Sequence, residues 1–379
     1  MSRGRSSSSK QLPRRTWVEI DCSALRHNVK AVQKLAGGAG IMAVVKANGY
    51  GHGLNEVSSA LAPGVDVFAV ATLGEALQLR LTEKSKPILL LSAALPEEYP
   101  QIAAHGFIPT ISSLQEAHLF AKASPKGASI HFKIDTGMGR LGALPGEAET
   151  MLRKILSLRL SLHSISTHLS SADTDKAYTS AQLRQFEKVL KGLRSLAPGV
   201  PIHVLNSAGS ILYPKHAQDL IRVGLVLYGV SPIKRFQKLF QPALSWRAAV
   251  TLIRELPKGH RVSYGGIYTA PRAIRAAVLP VGYADGYPRH LSGKNATVLI
   301  QGKRCPLLGR VTMDQILVDI TKVKGVRVGD EAVLLGKQGR REITATEVAE
   351  KAGTIPWHVF LRNYCSRGLR VYRLEGIGG

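Results

Sequence analysis

Up to Gly229, short apolar runs alternate with stretches of helical spacing. The runs are 42–45, 67–71, 88–91, 107–111, 130–134, 164–169, 202–205 and 220–223. Between residues 23 and 36, Leu25, Val29, Val32 and Leu35 line one face behind a Ser/Asp start. Between 177 and 196, Leu183, Phe186, Val189, Leu190 and Leu193 do the same. That periodicity predicts amphipathic helices between strands. Eight such units predict a (β/α)₈ TIM barrel, which usually needs about 250 residues. A doubly wound open sheet is the competing architecture on pattern alone.

Beyond Gly229 the rhythm changes. Short alternating runs at 248–254, 276–280, 297–301, 315–320 and 331–335 are broken by Gly and Pro, and helical spacing returns only at 345–352. This predicts a mainly β C-terminal domain. The join is 231–242, a basic stretch with Pro232 and Pro242. The division is therefore a tail at 1–15, a barrel at 23–240 and a β-rich domain at 241–379.

Composition narrows the function. Of 379 residues 45% are apolar, ample for a sizeable core, which excludes a disordered or disulfide-stapled chain. Lys and Arg number 51 against 26 acids, a formal charge of +25. The charge is scattered and aromatics are only 6%, few for stacking bases, so an anionic ligand explains it better than nucleic acid. Cys22, Cys305 and Cys365 are too far apart for a metal pair, and their number and spacing suit a reducing compartment. No run is long enough to span a membrane. Residues 1–15, with five Ser and five basic residues, lack a secretory apolar stretch and read as a disordered tail. The cytoplasm is the expected location.

Candidate chemistry gathers where barrel strands end. Lys46 follows the first run directly, in Val44-Val45-Lys46-Ala47-Asn48-Gly49-Tyr50-Gly51-His52-Gly53. A partly desolvated lysine there is a nucleophile able to form a Schiff base with an aldehyde; the alternative is a lysine snorkelling at a strand end. The small residues after it allow close approach of a bulky ligand. Asn206-Ser207-Ala208-Gly209 and Arg222-Val223-Gly224-Leu225 follow the seventh and eighth runs, where barrels often hold phosphate. His168, near the end of the sixth run, is either a core histidine or an orienting partner for a neighbouring arginine.

These segments, with Asp135-Thr136-Gly137-Met138-Gly139-Arg140-Leu141-Gly142, Val262-Ser263-Tyr264-Gly265, Gly282-Tyr283-Ala284-Asp285-Gly286 and Gly309-Arg310-Val311-Thr312-Met313-Asp314-Gln315, carry a resemblance. The chain resembles the alanine racemase family of fold-type III pyridoxal-phosphate enzymes, from Val18 to Val371. The resemblance implies that residues 16–22 form a first strand packed on the β domain. It implies pyridoxal 5'-phosphate as cofactor, bound covalently by Lys46. Tyr50, Ser207 and the backbone of Gly224 and Leu225 match its phosphate cradle. Arg222 matches the arginine facing the pyridine nitrogen, and His168 the residue holding that arginine. Arg140 matches a group near the phenolic oxygen and the substrate carboxylate.

The same resemblance implies interconversion of L-alanine and D-alanine for peptidoglycan by two bases, Lys46 and Tyr264 of the partner subunit, in a homodimer. Met313 matches a backbone donor to the substrate carboxylate, while Tyr283 and Asp314 shape or gate the pocket mouth. Lys133 matches a position carbamylated in some members. Leu369 is set against a phosphate-binding tyrosine of some members, and Thr312 against a cysteine. A racemase of broader specificity and a non-catalytic pyridoxal-phosphate carrier are the competing functions. No metal and no membrane partner is expected.

Overall fold

The computed structural model describes residues 14–362 and 369–373. Residues 1–13 of the expected tail, and Cys365, lie outside the described residues. Chain contacts divide the molecule into two compact units, one joining the residues up to Ile20 with Leu244–Val371, the other running from Asp21 to Ala243 and taking in Tyr372. The divisions fall a few residues from the sequence boundaries at 22/23 and 240/241.

The first strand, β1 (Thr16–Asp21), belongs almost wholly to the β-rich unit. Then come β2 (Gly40–Val44), β3 (Val67–Val70), β4 (Ile88–Leu90), β5 (Ile108–Ile111), β6 (Ser129–Lys133), β7 (Ser161–Ser166), β8 (Ile202–His203) and β9 (Leu220–Val223). They close into a parallel barrel, β2 pairing with both β3 and β9. Closure excludes the open sheet. Parallel strands need crossover connections, and the amphipathic stretches supply them as helices. The helix Cys22–Ala36 shows how local sequence sets its bounds. Asp21 Oδ1 accepts from Ser23 N and Ala24 N at 2.8 and 3.0 Å, and Gly37 ends it in the left-handed conformation at φ 59°.

Met42, Val44, Val67, Ala69, Leu89, Ile108 and Leu220 form an apolar cluster in the barrel. Barrel interiors are usually layers of branched apolar side chains. Here buried His131, Ser164, Ser166, Thr167, His203 and Arg222 interrupt them. One expected run is displaced. The strand predicted at 164–169 begins at Ser161 and ends at Ser166, because its first half carries Ser161 and His163 and is only half buried. His168 therefore stands just past a strand end.

The β-rich unit holds one long sheet. Its order is Leu252–Leu256, Ile274–Leu279, Ile316–Asp319, Lys303–Leu308, Thr297–Ile300, Glu331–Gln338, then β10 (Leu244–Ala249), β1 and Leu369–Arg373. β1 pairs antiparallel with β10, Thr16 opposite Ala248 and Ile20 opposite Leu244. The single run predicted at 248–254 is two strands. Val250 N donates to Asp330 O and Thr251 N to Val278 O, so the chain changes partners between them. The helix at Ala345–Ala352 starts and ends where its spacing predicts.

Candidate active site

Lys46 stands immediately beyond β2, and the four residues after it are unusual. Ala47, Asn48, Gly49 and Tyr50 have φ of 53°, 52°, 60° and 52°, a turn of left-handed helix. For L-residues this costs about 1–2 kcal/mol each, so other contacts must hold it. Gly49 N donates to Val45 O at 2.8 Å, Gly53 N to Asn48 O at 2.9 Å, and Leu54 N to Asn48 Oδ1 at 2.7 Å. Glu75, on the helix Leu73–Thr82, accepts from Ala47 N at 2.6 Å and from Ala71 N at 2.8 Å. The Tyr50 ring packs on the barrel's apolar cluster and stacks on Tyr228, centroids 4.8 Å apart.

Lys46 is half buried. Burial and the charges of Arg140 and Arg222 hold its amine below the usual lysine range, against Glu75, which raises it. Its neutral, nucleophilic form is thereby favoured. Tyr50 and Gly224 approach closely: a Cβ on Gly224 would stand 2.5 Å from the Tyr50 hydroxyl. Gly224 N donates to Ser207 Oγ at 3.2 Å. Ser207 opens the helix Ser207–Leu212, capped by Asn206 Oδ1 on Gly209 N at 2.9 Å. Leu225 follows, buried. Tyr50, Ser207 and Gly224 thus lie together at the ends of β2, β8 and β9.

Arg222 is buried on β9. Nη1 donates to His203 Nδ1, and Nη2 donates to His168 Nδ1 at 2.8 Å and to Thr167 O at 3.1 Å. A guanidinium only donates, so both histidines accept and carry their proton on Nε2. Burial and Arg222 hold both imidazoles well below their ordinary range. Burial and Arg140 bring Arg222 down to about 10, so it stays cationic near neutrality.

Asp135 shapes the next turn. Oδ1 accepts from Gly137 N and Met138 N at 2.9 and 2.7 Å, and Oδ2 accepts from Arg140 N at 3.1 Å. Arg140 emerges from that turn exposed. Lys133, at the end of β6, is buried; burial, Arg222 and Arg140 push its amine to about 8. Lys46, Lys133, Arg140 and Arg222 thus gather at this barrel end, a setting for an anion.

The β-rich unit assembles a second group. Tyr264 is 73% exposed, on a turn where Ser263 takes φ 62° and its Oγ donates to Arg310 O at 2.7 Å. The Arg310 guanidinium lies against Gly265. Tyr283 N donates to Thr312 O and Ala284 N to Met313 O, both at 3.0 Å. A Cβ on Gly282 would collide with the backbone of Thr312 and Met313, so only glycine lets these two segments meet. Tyr283, Met313 and Asp314 are exposed. The Leu369 side chain lies outside the described residues. Glu75, His131 and His203 were missed by sequence reasoning. Glu75 reads there as the third residue of a helix cap, and a histidine in an apolar run reads as core.

Among the described residues no His, Cys, Asp and Glu cluster could hold a metal ion, and no helix is long and apolar enough to cross a membrane. A parallel barrel presenting a lysine and an arginine held by histidines, joined to a β-rich unit, defines a two-part barrel enzyme. The family model for the alanine racemase N-terminal domain matches residues 20–232, and that for the alanine racemase C-terminal domain matches residues 243–373. An alanine racemase of Halothermothrix orenii is 41% identical over 361 residues, 93% of this chain and 95% of that protein. One of Methylacidiphilum infernorum is 43% identical over 365 residues, 95% and 93% of the two chains. The solved alanine racemase of Clostridium difficile 630 superposes with a TM-score of 0.88 at 33% identity, covering 96% of this chain and 97% of that one. The chain belongs to the alanine racemase family, and is an isomerase.

Proposed function

We propose that the chain interconverts L-alanine and D-alanine with pyridoxal 5'-phosphate held at the barrel's strand ends, supplying D-alanine for peptidoglycan. The observation that carries this reading is the pairing of a half-buried, readily deprotonated Lys46 with a cationic, histidine-held Arg222 at one barrel mouth. The residues fit the group. Tyr50, Ser207 and Gly224 make a narrow polar cradle that a Cβ would obstruct, suited to phosphate oxygens. Arg140 and Arg222 bring positive charge to this barrel end, suited to an anionic ligand and a substrate carboxylate. Bound there, pyridoxal phosphate supplies an aldehyde for an amine and a ring that draws electrons from the substrate Cα.

The chain's own residues do the rest. Arg222 retains its proton, so it would donate a hydrogen bond to the pyridine nitrogen without protonating it, which would restrain electron withdrawal and with it transamination. Lys46 moves a proton at one face of Cα. Tyr264 of the partner subunit serves the other, since one base cannot easily reach both faces. Exposure of Tyr264 on the β-rich unit suits delivery to a second chain, in a homodimer with shared sites. Arg140 and the Met313 backbone bind the substrate carboxylate, and Tyr283 and Asp314 frame the mouth. A carrier built on a single barrel needs neither Tyr264 nor a β-rich unit.

The test is chiral analysis of products from several amino acids. Alanine should turn over fastest, and Lys46→Ala should lose both the absorbance of bound cofactor and activity. Faster turnover of lysine or arginine than of alanine overturns the specificity. Retained cofactor absorbance in Lys46→Ala overturns the cofactor assignment.

A further inference from the structure

Two glutamates of the barrel unit occupy the same place in their helices and do different things. Glu116 is the third residue of Leu114–Ala123, capped by Ser113. Its Oε2 accepts from Ser113 N at 2.9 Å and Ser112 N at 2.7 Å, so the carboxylate is spent on its own helix start. Glu75 is likewise third in Leu73–Thr82, capped by Thr72, and one oxygen accepts from Ala71 N at 2.8 Å. Its other oxygen leaves the helix and accepts from Ala47 N at 2.6 Å, the residue after Lys46. Ala47 opens the left-handed turn, a conformation its own Cβ disfavours. A carboxylate with one backbone N–H on each oxygen is a strong, directional clamp.

We infer that Glu75 is a positioning residue for Lys46, tying the first N–H of the left-handed turn to the end of β3 and so fixing where the lysine amine stands. This rests on the reading of Lys46 as the amine that bonds an aldehyde. The charged groups setting that amine are Arg140 on the turn after β6, Arg222 on β9 and Glu75 on the helix after β3; only Glu75 raises it. Lys133, at the end of β6, adds a further positive charge nearby while its amine is free. Glutamine keeps the size of Glu75 but has one acceptor oxygen, so one N–H must lose its partner, and the negative charge is gone.

The test uses the full-length chain, stripped of cofactor with hydroxylamine. It is exposed to pyridoxal phosphate over a range of pH and reduced with borohydride. The Lys46 nitrogen bonds the aldehyde carbon, water leaves, and hydride fixes the C–N bond, which peptide mapping counts at Lys46. Two changes are expected in Glu75→Gln. The trapping rate on the high-pH plateau falls about tenfold, the loss of one charge-assisted bond. The midpoint of the pH profile moves to lower pH, because the one group favouring the protonated amine has been removed.

Glu116→Gln removes an equivalent cap elsewhere and should lower Tm comparably while leaving plateau and midpoint unchanged. Glu75→Asp keeps the charge but cannot span both N–H groups, so it should restore the midpoint and not the plateau. A Glu75→Gln profile matching wild type, or an equal loss in Glu116→Gln, overturns the inference. Absence of trapping at Lys46 in the wild-type chain overturns the functional reading itself, and the inference with it.

Discussion

Arg222 donates from Nη2 to His168 Nδ1 at 2.8 Å and from Nη1 to His203 Nδ1, so neutral imidazoles and not carboxylates hold this buried guanidinium. A carboxylate would cancel its charge. Imidazole nitrogens orient it and leave the charge for a ligand. His203 stacks on His131 at 4.8 Å, and His131 is fixed by Ser164 Oγ and Ser166 Oγ, each at 2.9 Å. The arrangement works only while these rings stay unprotonated.

Stability should therefore fall with acid. Burial and Arg222 hold His131, His168 and His203 well below their ordinary values. The folded pKa is depressed, so the unfolded chain binds protons first. The contribution is complete above the unfolded value of about 6.5 and is lost as pH falls from there toward the folded value. With three such rings the slope approaches about 4.1 kcal/mol per pH unit below that point. Urea unfolding at descending pH checks it, and His131→Gln should flatten the slope. Equal stability from about pH 7.5 to about pH 5.5 would contradict the neutral-imidazole arrangement.

Gly224→Ala should weaken cofactor binding. Its Cβ would stand 2.5 Å from the Tyr50 hydroxyl, so the tyrosine must move out of the cradle. Overpacking of this kind costs about 1–3 kcal/mol, and about tenfold in Kd for pyridoxal phosphate is expected. Gly37→Ala is the control. It meets nothing within 4 Å but sits at φ 59°, so it should cost about 1 kcal/mol of folding and leave Kd unchanged. Equal Kd in both variants would remove Gly224 from the cradle.

Lys133 should carry carbon dioxide. Its amine is buried, pushed to about 8 by burial, Arg222 and Arg140, and therefore partly neutral at physiological pH. The neutral nitrogen bonds the carbon of carbon dioxide, a proton leaves to solvent, and the resulting carbamate answers nearby positive charge. Carbon-13 bicarbonate should give a carbamate signal in the wild-type NMR spectrum, absent in Lys133→Met. Identical spectra would show that the amine stays free.

The barrel was legible because its strands are covered on both faces and read as unbroken apolar runs: seven of the eight predicted runs overlie strands with nearly the same ends. The exception, β7, opens with Ser161 and His163, which look like loop. In the β-rich unit, Lys303–Leu308 escaped notice because it contains Lys303, Arg304 and Pro306. Pro306 is tolerated there since pairing with Ile316–Asp319 begins only at Leu307. Site residues emerged from motif and strand-end position. Residues acting through tertiary contact did not. Glu75 meets Ala47 across 28 positions, and His203 meets Arg222 from the adjacent strand, so neither leaves a local signature.

Subunit sharing is the last expectation. If each site joins Lys46 of one chain to Tyr264 of the other, Lys46→Ala and Tyr264→Phe should each be nearly inactive alone. Subunit exchange between them makes dimers in which one site carries both changes and the other neither. Random pairing makes about half the dimers mixed, each with one of two sites restored, so activity should recover to roughly a quarter of wild type. A site complete within one chain gives no recovery, because every chain still lacks one base. Tagged pull-down verifies that exchange took place. With exchange verified, activity that stays at background assigns both bases to a single chain and ends the shared-site mechanism.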